Sequence, residues 1–484
     1  MKKLFIPISI LLLLLATGCS KYLEKEPDNR AQLNTPAKVA QLLASAYPQA
    51  NYMAFAESIS DNVADKGAGT IELNNRDPYF FEDTKDNQQD SPEFYWNACY
   101  RAISTANLAL QAINDAPDTA SYRAQKGEAL VARAYAHFML VNFFAKFYNP
   151  ATAASDPGVP YVTEVENVVF KQYDRRTVAY VYEMIEKDLL AGLPLLKDES
   201  YNVPRYHFNL AAANAFAARF YLFKQDYSKV VQHANAALPS SNVAAVLRPW
   251  NTTYLTMTYN ELYAVYAKAT EPANLLLIET QSLWGRNYFT TRYGLDASRR
   301  DSIFETNVTG GRWAFEFQTY TAGTNNYLLP KINEYFVKIS VNAEIGFPYV
   351  MVPAFTTEEV LFNRAEAYTY LNNTAAALAD LNTYASTRIA NYNAGTHAIT
   401  ATSISNYYNA ATLQQGLIQT ILDFKRAEYV QEGMRWFDIL RYNIPVTHVA
   451  VNPTRTMTLG PNDLRRVFQI PESAGLSGVG PNPR

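Results

Sequence analysis

Residues 207–237 read H-F-N-L-A-A-A-N-A-F-A-A-R-F-Y-L-F-K-Q-D-Y-S-K-V-V-Q-H-A-N-A-A, and this stretch decides the fold. Apolar and small residues recur at helical spacing on both sides of Lys224-Gln225-Asp226, predicting helices over 207–223 and 227–237. A connection of three residues forces the two helices to run antiparallel. Ala217, Ala218, Ala234 and Ala237 flank the turn, and small side chains let helix axes approach closely.

The same design recurs at 357–371 and 374–390, where Leu371-Asn372-Asn373 is the turn and Ala365, Ala367, Ala375 and Ala376 flank it. Further periodic segments predict helices over 36–51, 92–114, 119–146, 175–194 and 411–441. Ala132-Arg133-Ala134-Tyr135, Ala218-Arg219-Phe220-Tyr221 and Ala365-Glu366-Ala367-Tyr368 occupy equivalent places in their helices. The pairs resemble tetratricopeptide repeats, but the copies lie 86 and 147 residues apart, not the ~34 of a tandem array. Long insertions therefore separate them. Residues 62–91 form a polar connection without sustained periodicity, and residues 240–355 mix short strand-like runs, such as Leu275–Thr280, with Trp, Tyr, Asn and Gly. Loops of this length inside a compact domain are usually functional, and their aromatic content argues against disorder.

The N-terminus sets the compartment. Lys2 and Lys3 precede an apolar run from Leu4 to Ala16, and A-T-G leads into Cys19. This is the pattern of an export signal, 1–18, too short to cross ~30 Å of hydrocarbon. A cysteine directly after the small residues resembles a lipobox, although Ala16 stands where such motifs usually carry Leu. Diacylated Cys19 would anchor the chain, and residues 19–34, polar and interrupted by Pro27, would tether a single domain over 35–484.

Composition narrows the function. With 48% hydrophobic and 18% charged residues, 484 residues can bury a large core. Taking Lys2 and Lys3 from 42 Lys+Arg leaves 40 against 45 Asp+Glu, and no basic run exceeds two residues, so nucleic acid is not an expected partner. With Cys19 lipidated, Cys99 is the one thiol left, and it reads as a small core residue. Tyr is abundant, 35 against 25 Phe and 5 Trp, which suits half-wet surfaces. The five histidines form no H-E-x-x-H, and no G-x-S-x-G, P-loop or G-x-G-x-x-G appears. No catalytic residue, metal site or cofactor is expected. Glu358-Glu359 reads as first-turn acids behind Thr356 and Thr357. In 426–441, Arg435/Asp438 and Asp438/Arg441 read as i,i+3 pairs with Trp436 packed inward.

Taken in order, these segments resemble the SusD/RagB family of outer-membrane nutrient-binding lipoproteins. The matching features are the lipobox and C-S-K-Y-L-E-K-E-P from Cys19 to Pro27, then Trp96-x3-Tyr100-x2-Ile103-x3-Asn107 and Ala132-Arg133-Ala134-Tyr135-x-His137-Phe138. The Asp156-Pro-Gly158-Val-Pro160 loop, both helix pairs, Glu432-Gly433-x-Arg435-Trp436-x-Asp438-x3-Arg441 and Ile470-Pro471-x-Ser complete the match. The family often closes on Asn-Pro-Gly-Tyr, whereas this chain reads Pro481-Asn482-Pro483-Arg484.

The resemblance implies a mainly α-helical body with about four tetratricopeptide-like pairs and loop-rich, partly β insertions. It also implies a non-enzymatic, palmitate-bearing surface protein that binds oligosaccharide, or in some branches peptide, as the lid of a SusC-like TonB-dependent transporter. A surface hydrolase and a helical envelope scaffold are the remaining alternatives. Sugars offer a C–H face for aromatic stacking and hydroxyls for forked donors and acceptors. The expected ligand face combines the two insertions: Trp284, Tyr288 and Trp313 would stack, while Asn287, Arg292, Asn75, Arg76 and Asp77 would hydrogen-bond, with Tyr79 or Phe80 at the rim.

Overall fold

A computed structural model describes residues 33–484 except 167, 169 and 170. The signal 1–18, Cys19 and most of the tether lie outside the described residues. No described helix is long and apolar enough to cross a membrane.

In chain order the helices are α1 (Pro36–Leu43), α2 (Met53–Ser58), α3 (Leu73–Tyr79), α4 (Pro92–Asp115), α5 (Arg123–Phe144), α6 (Val178–Gly192), α7 (Leu210–Lys224) and α8 (Tyr227–Ala237). There follow α9 (Tyr259–Val265), α10 (Trp284–Thr290), α11 (Ala297–Phe304), α12 (Thr357–Tyr370), α13 (Thr374–Arg388), α14 (Ala401–Tyr408), α15 (Leu413–Glu428) and α16 (Arg435–Arg441). Four antiparallel pairs, α4/α5, α7/α8, α12/α13 and α14/α15, build the body, and α6 packs on α5.

The two tight turns use one device. Gln225 and Asn372 each adopt left-handed backbone at the end of the first helix, with φ 65° and 58°. Asp226 and Asn373 then cap the second helix by accepting the amides of Lys229 and Ala376. The three equivalent helical positions also share a role, since each places a buried charge between helices. Arg133 forks onto Asp188 at 2.7 Å, Arg219 forks onto Glu359 at 2.5 Å, and Glu366 pairs with Arg441.

The sequence expectation of one helix over 411–441 is corrected. The chain breaks between α15 and α16, where Gln431 and Gly433 take φ of 70° and 71°. A Cβ on Gly433 would lie 3.0 Å from the Met53 Cα, so only glycine fits this bend against α2. The bend is a socket. Glu57 of α2 accepts the amides of Gln431 at 2.8 Å and Gly433 at 3.0 Å. Lys331 reaches in to Glu432 at 2.9 Å, the Gln431 side chain receives the Leu329 amide, and the Trp284 indole donates to the Gln431 carbonyl at 3.0 Å. Arg435 pairs with Asp61 at 2.8 Å instead of Asp438, which takes Lys425 and Arg441. Trp436 is buried, as expected.

Glu358 and Glu359 are likewise more than first-turn acids. Glu358 lies between Arg248 and Arg388, each at 2.9 Å, and Arg388 continues to Glu428 at 2.7 Å, all four fully buried. Burial pushes the Glu428 carboxyl up, but Arg388, with Lys331 and Arg248 behind it, holds the group below the usual carboxylate range.

The strands are β1 (Ala64–Asp65), β2 (Asn274–Gln281), β3 (Tyr293–Gly294), β4 (Tyr320–Thr321), β5 (Tyr327–Leu328), β6 (Glu334–Lys338), β7 (Gly346–Thr356), β8 (Val446–Val451) and β9 (Thr454–Leu459), chiefly in the second insertion, where β2, β6 and β7 form an antiparallel sheet in the order β2-β7-β6. Phe355 of β7 meets Tyr135 and Phe216, joining this sheet to α5 and α7.

Candidate functional site

The two insertions meet. β1 (Ala64–Asp65) of the first pairs with β3 (Tyr293–Gly294) of the second, in register Ala64↔Gly294 and Asp65↔Tyr293. The seam continues through Lys66 N to Arg292 O at 3.0 Å, Arg292 N to Thr70 O at 2.8 Å and Thr70 N to Thr290 O at 2.9 Å. Gly69 permits this approach: its φ is +124°, and a Cβ would lie 2.6 Å from the Thr290 carbonyl.

Charges lock the seam. Arg292 forks onto Asp65 at 2.6 and 2.9 Å, and Asp65 also accepts the amides of Gly67 and Val451. Burial pushes the Asp65 carboxyl up, but Arg292 and the two amides hold it below the usual carboxylate range. Burial lowers the Lys66 ammonium to about 8, against the pull of Asp296, and its Nζ donates to the Phe289 carbonyl at 3.3 Å.

Eight of the nine expected ligand residues do come together here, but most of them point inward. Trp284 and Tyr288 are 2% and 1% exposed; Tyr288 donates to the Leu329 carbonyl at 3.1 Å. Tyr79, 1% exposed, stacks between His448 and Tyr293 and bonds the Asp65 amide and the Val449 carbonyl. Asn75 is buried and donates to Ser58 at 2.9 Å, and buried Asp77 pairs with Arg76 at 2.8 Å. Trp313 lies elsewhere, packed on Phe315, Tyr384 and Phe424 and bridged to Ile389. The expectation that Trp284, Tyr288 and Trp313 stack on ligand is therefore corrected: a ring closed on both sides offers no face to a sugar. Trp284 and Tyr288 are i,i+4 neighbours on α10 and so share one face of it, the face that packs inward.

What remains at the surface is the outer side of α10 and its flanks. Arg286, with 57% of its side chain exposed, forks onto Glu334, and Asn287 and Phe289 are half-buried beside it. Across the seam lie Arg76, 42% exposed along its side chain, half-buried Phe80 and the exposed Ile71 and Leu73.

On the other flank, half-buried tyrosines that sequence reasoning passed over form a row. Tyr259 and Tyr263 of α9 stack at 5.5 Å, and Tyr320 meets Tyr259 edge-on at 5.2 Å. The Tyr263 hydroxyl accepts the Glu334 amide, and Tyr259 bonds Tyr288, so the row is fixed to α10. Their signal in the sequence was Tyr259-x3-Tyr263 behind the capping pair Thr258/Glu261, which puts both rings on one helix face. The arrangement offers aromatic faces, an amide and guanidinium groups on a shallow surface. Among the described residues no cluster of His, Cys, Asp and Glu could hold a metal.

Residues 21–222 match a SusD-like family described as starch-binding and associating with the outer membrane, and residues 352–470 match the SusD family. The chain belongs to the SusD/RagB family. It is thus a non-catalytic binding protein associated with the outer membrane. The fold of the family is plain in solved structures. A SusD superfamily protein from Bacteroides thetaiotaomicron superposes with TM-score 0.65 at 20% identity, covering 93% of this chain and 100% of its own. A SusD-like carbohydrate-binding protein from Bacteroides vulgatus gives TM-score 0.65 at 16%, covering 92% and 96%. A laminarin-binding SusD-like protein gives 0.62 at 16%, covering 93% and 99%. No curated protein matches the chain. The family matches take in the first insertion and most of the helix-pair body, and leave residues 223–351, α8 and most of the second insertion, between them.

Proposed function

We propose that this SusD/RagB protein is a surface lipoprotein, anchored through Cys19, that captures oligosaccharide for a SusC-like TonB-dependent transporter and closes over it as a lid. The observation that carries the reading is the row Tyr259, Tyr263 and Tyr320 beside Asn287 and Arg286 of α10: half-exposed rings with neighbouring amide and guanidinium groups suit sugar C–H faces and hydroxyls. The carbohydrate named for two of the solved relatives and the starch-binding description of the family support it. Arg76, Asn287 and Arg292 stay in the proposed contact set, while Tyr79 holds the seam through the Asp65 amide, Asn75 ties α3 to Ser58 of α2 and Asp77 pairs with Arg76.

The test is calorimetric titration of the full chain, held in a detergent without a sugar headgroup, with neutral oligosaccharides and peptide digests. Saccharide binding that weakens at least tenfold in Tyr259→Ala/Tyr263→Ala establishes the site. Binding of peptides alone moves the ligand to the second reading, which the exposed Ile71, Leu73, Val449 and Val451 beside the seam favour. Co-purification with a barrel from the outer membrane tests the transporter role.

A further inference from the structure

A cleft of about 630 Å³ opens between the loop that follows α5, residues 145–157, and the C-terminal segment, with the end of α16 as its floor. Its size falls in the range of sites for small organic ligands. It shares no residue with α9, α10 or the seam.

The charged groups around it are all engaged by the protein. Arg175 donates to the Gly158 carbonyl at 2.8 Å and to Asn482 at 2.7 Å, and Arg466 to the carbonyls of Gly460 at 2.8 Å and Ile439 at 3.2 Å. Arg441 is held by Glu366, Lys146 by Asp156 at 2.8 Å and Asp463 by Arg465 at 2.7 Å. The neutral groups are the free ones. Among the described residues, Tyr148 Oη, Asn149 Nδ2 and Asn462 Nδ2 meet no hydrogen-bond partner, although Asn149 and Asn462 are fixed through their Oδ1 atoms by Ala151 N and Asn443 Nδ2. Two half-buried rings complete the wall: Tyr148 is backed by Tyr182 at 4.5 Å and Phe147 by Phe223 at 5.2 Å. An anion would find no unpaired cation here, and a purely apolar ligand would cover the Tyr148 hydroxyl and the Asn149 and Asn462 amides without replacing their bonds to water.

We propose that this cleft is a second saccharide site, for a neutral sugar that stacks on Tyr148 and Phe147 and bonds Asn149 and Asn462. The inference rests on the reading of the chain as a glycan binder and adds a site that the tyrosine row does not include. Two sites on one lipoprotein raise the residence of a long glycan through effective concentration, each site holding the chain while the other releases it.

Titration of the full chain with neutral malto-, laminari-, xylo- and manno-oligosaccharides decides between the possibilities. Two equivalents should bind, and Tyr148→Ala or Asn149→Ala should each weaken one of them at least tenfold without altering the other. Tyr259→Ala/Tyr263→Ala should do the reverse. Asn149 is exposed, so its variant keeps the test valid where Tyr148→Ala fails to reach the wild-type melting temperature. One equivalent that neither cleft substitution alters would overturn the second site and leave the tyrosine face standing. One equivalent lost only in the cleft variants would retain the cleft and sink the tyrosine face. No binding of any of these sugars would overturn both.

Discussion

Arg388 shows how much rests on single buried charges. Its guanidinium serves Glu358, Glu428 and the Arg248 carbonyl in a fully buried site. Arg388→Met should destabilise the protein by about 3–5 kcal/mol in a urea titration, because it leaves two carboxylates facing one another without their shared cation. Arg388→Met/Glu428→Met should cost less than the two single changes added together. A different signature belongs to Glu57. Burial pushes its carboxyl up to about 7 from an ordinary 4.5, against the opposing pull of Gln431 N, Asn62 and Gly433 N. The folded state therefore holds the proton more tightly than the unfolded one. Its contribution to stability is fully present below pH 4.5 and is lost as the pH rises through 7. Subtracting the pH–stability curve of Glu57→Gln from that of the wild type should give a difference that declines across this window; a flat difference would contradict the buried-acid account.

At the scale of elements, the helices of three pairs were legible, whereas α14 of the fourth pair and the inserted helices were not. The turns at 224–226 and 371–373 announce themselves through residues that tolerate left-handed backbone followed by a cap. α9 and α10 each span only seven residues, too few for periodicity to separate them from loop, so the packed rings of Trp284 and Tyr288 read as exposed. The break at 431–433 was hidden for another reason: it is imposed by α2 and Lys331, partners hundreds or about a hundred residues away. Two predictions sit at this scale. Gly433→Ala should lower stability by about 1–3 kcal/mol, read from its denaturation midpoint, because φ of 71° and the Met53 Cα both oppose a side chain. The hairpin of β6 and β7 exposes Phe336, Val337, Ile339, Ile345 and Phe347, and β6 is an open edge of its sheet. Phe336→Lys should raise the concentration at which the protein scatters light and leave its melting temperature unchanged.

Across the whole molecule, the helix-pair body is the scaffold, and the ligand face proposed above lies on the two insertions. The body carries the buried charge network, the equivalent Arg133, Arg219 and Glu366 positions, and the family signature around Gly433. The socket at 431–433 fixes the second insertion to that body, and the β1–β3 seam fixes the first insertion to the second. This hierarchy explains why the Glu432-Gly433 signature lies in a structural place: it holds the proposed face without being part of it. Gly69→Ala should accordingly weaken ligand binding while sparing the body, since it parts the seam at Thr290 without touching a helix pair. The measurement that bears most directly on the central claim is amide hydrogen exchange of the full chain with and without its tightest-binding oligosaccharide. Protection across 66–80, 259–266 and 284–292 together is the predicted result; a bound sugar that leaves all three segments exchanging as in the free protein would contradict it.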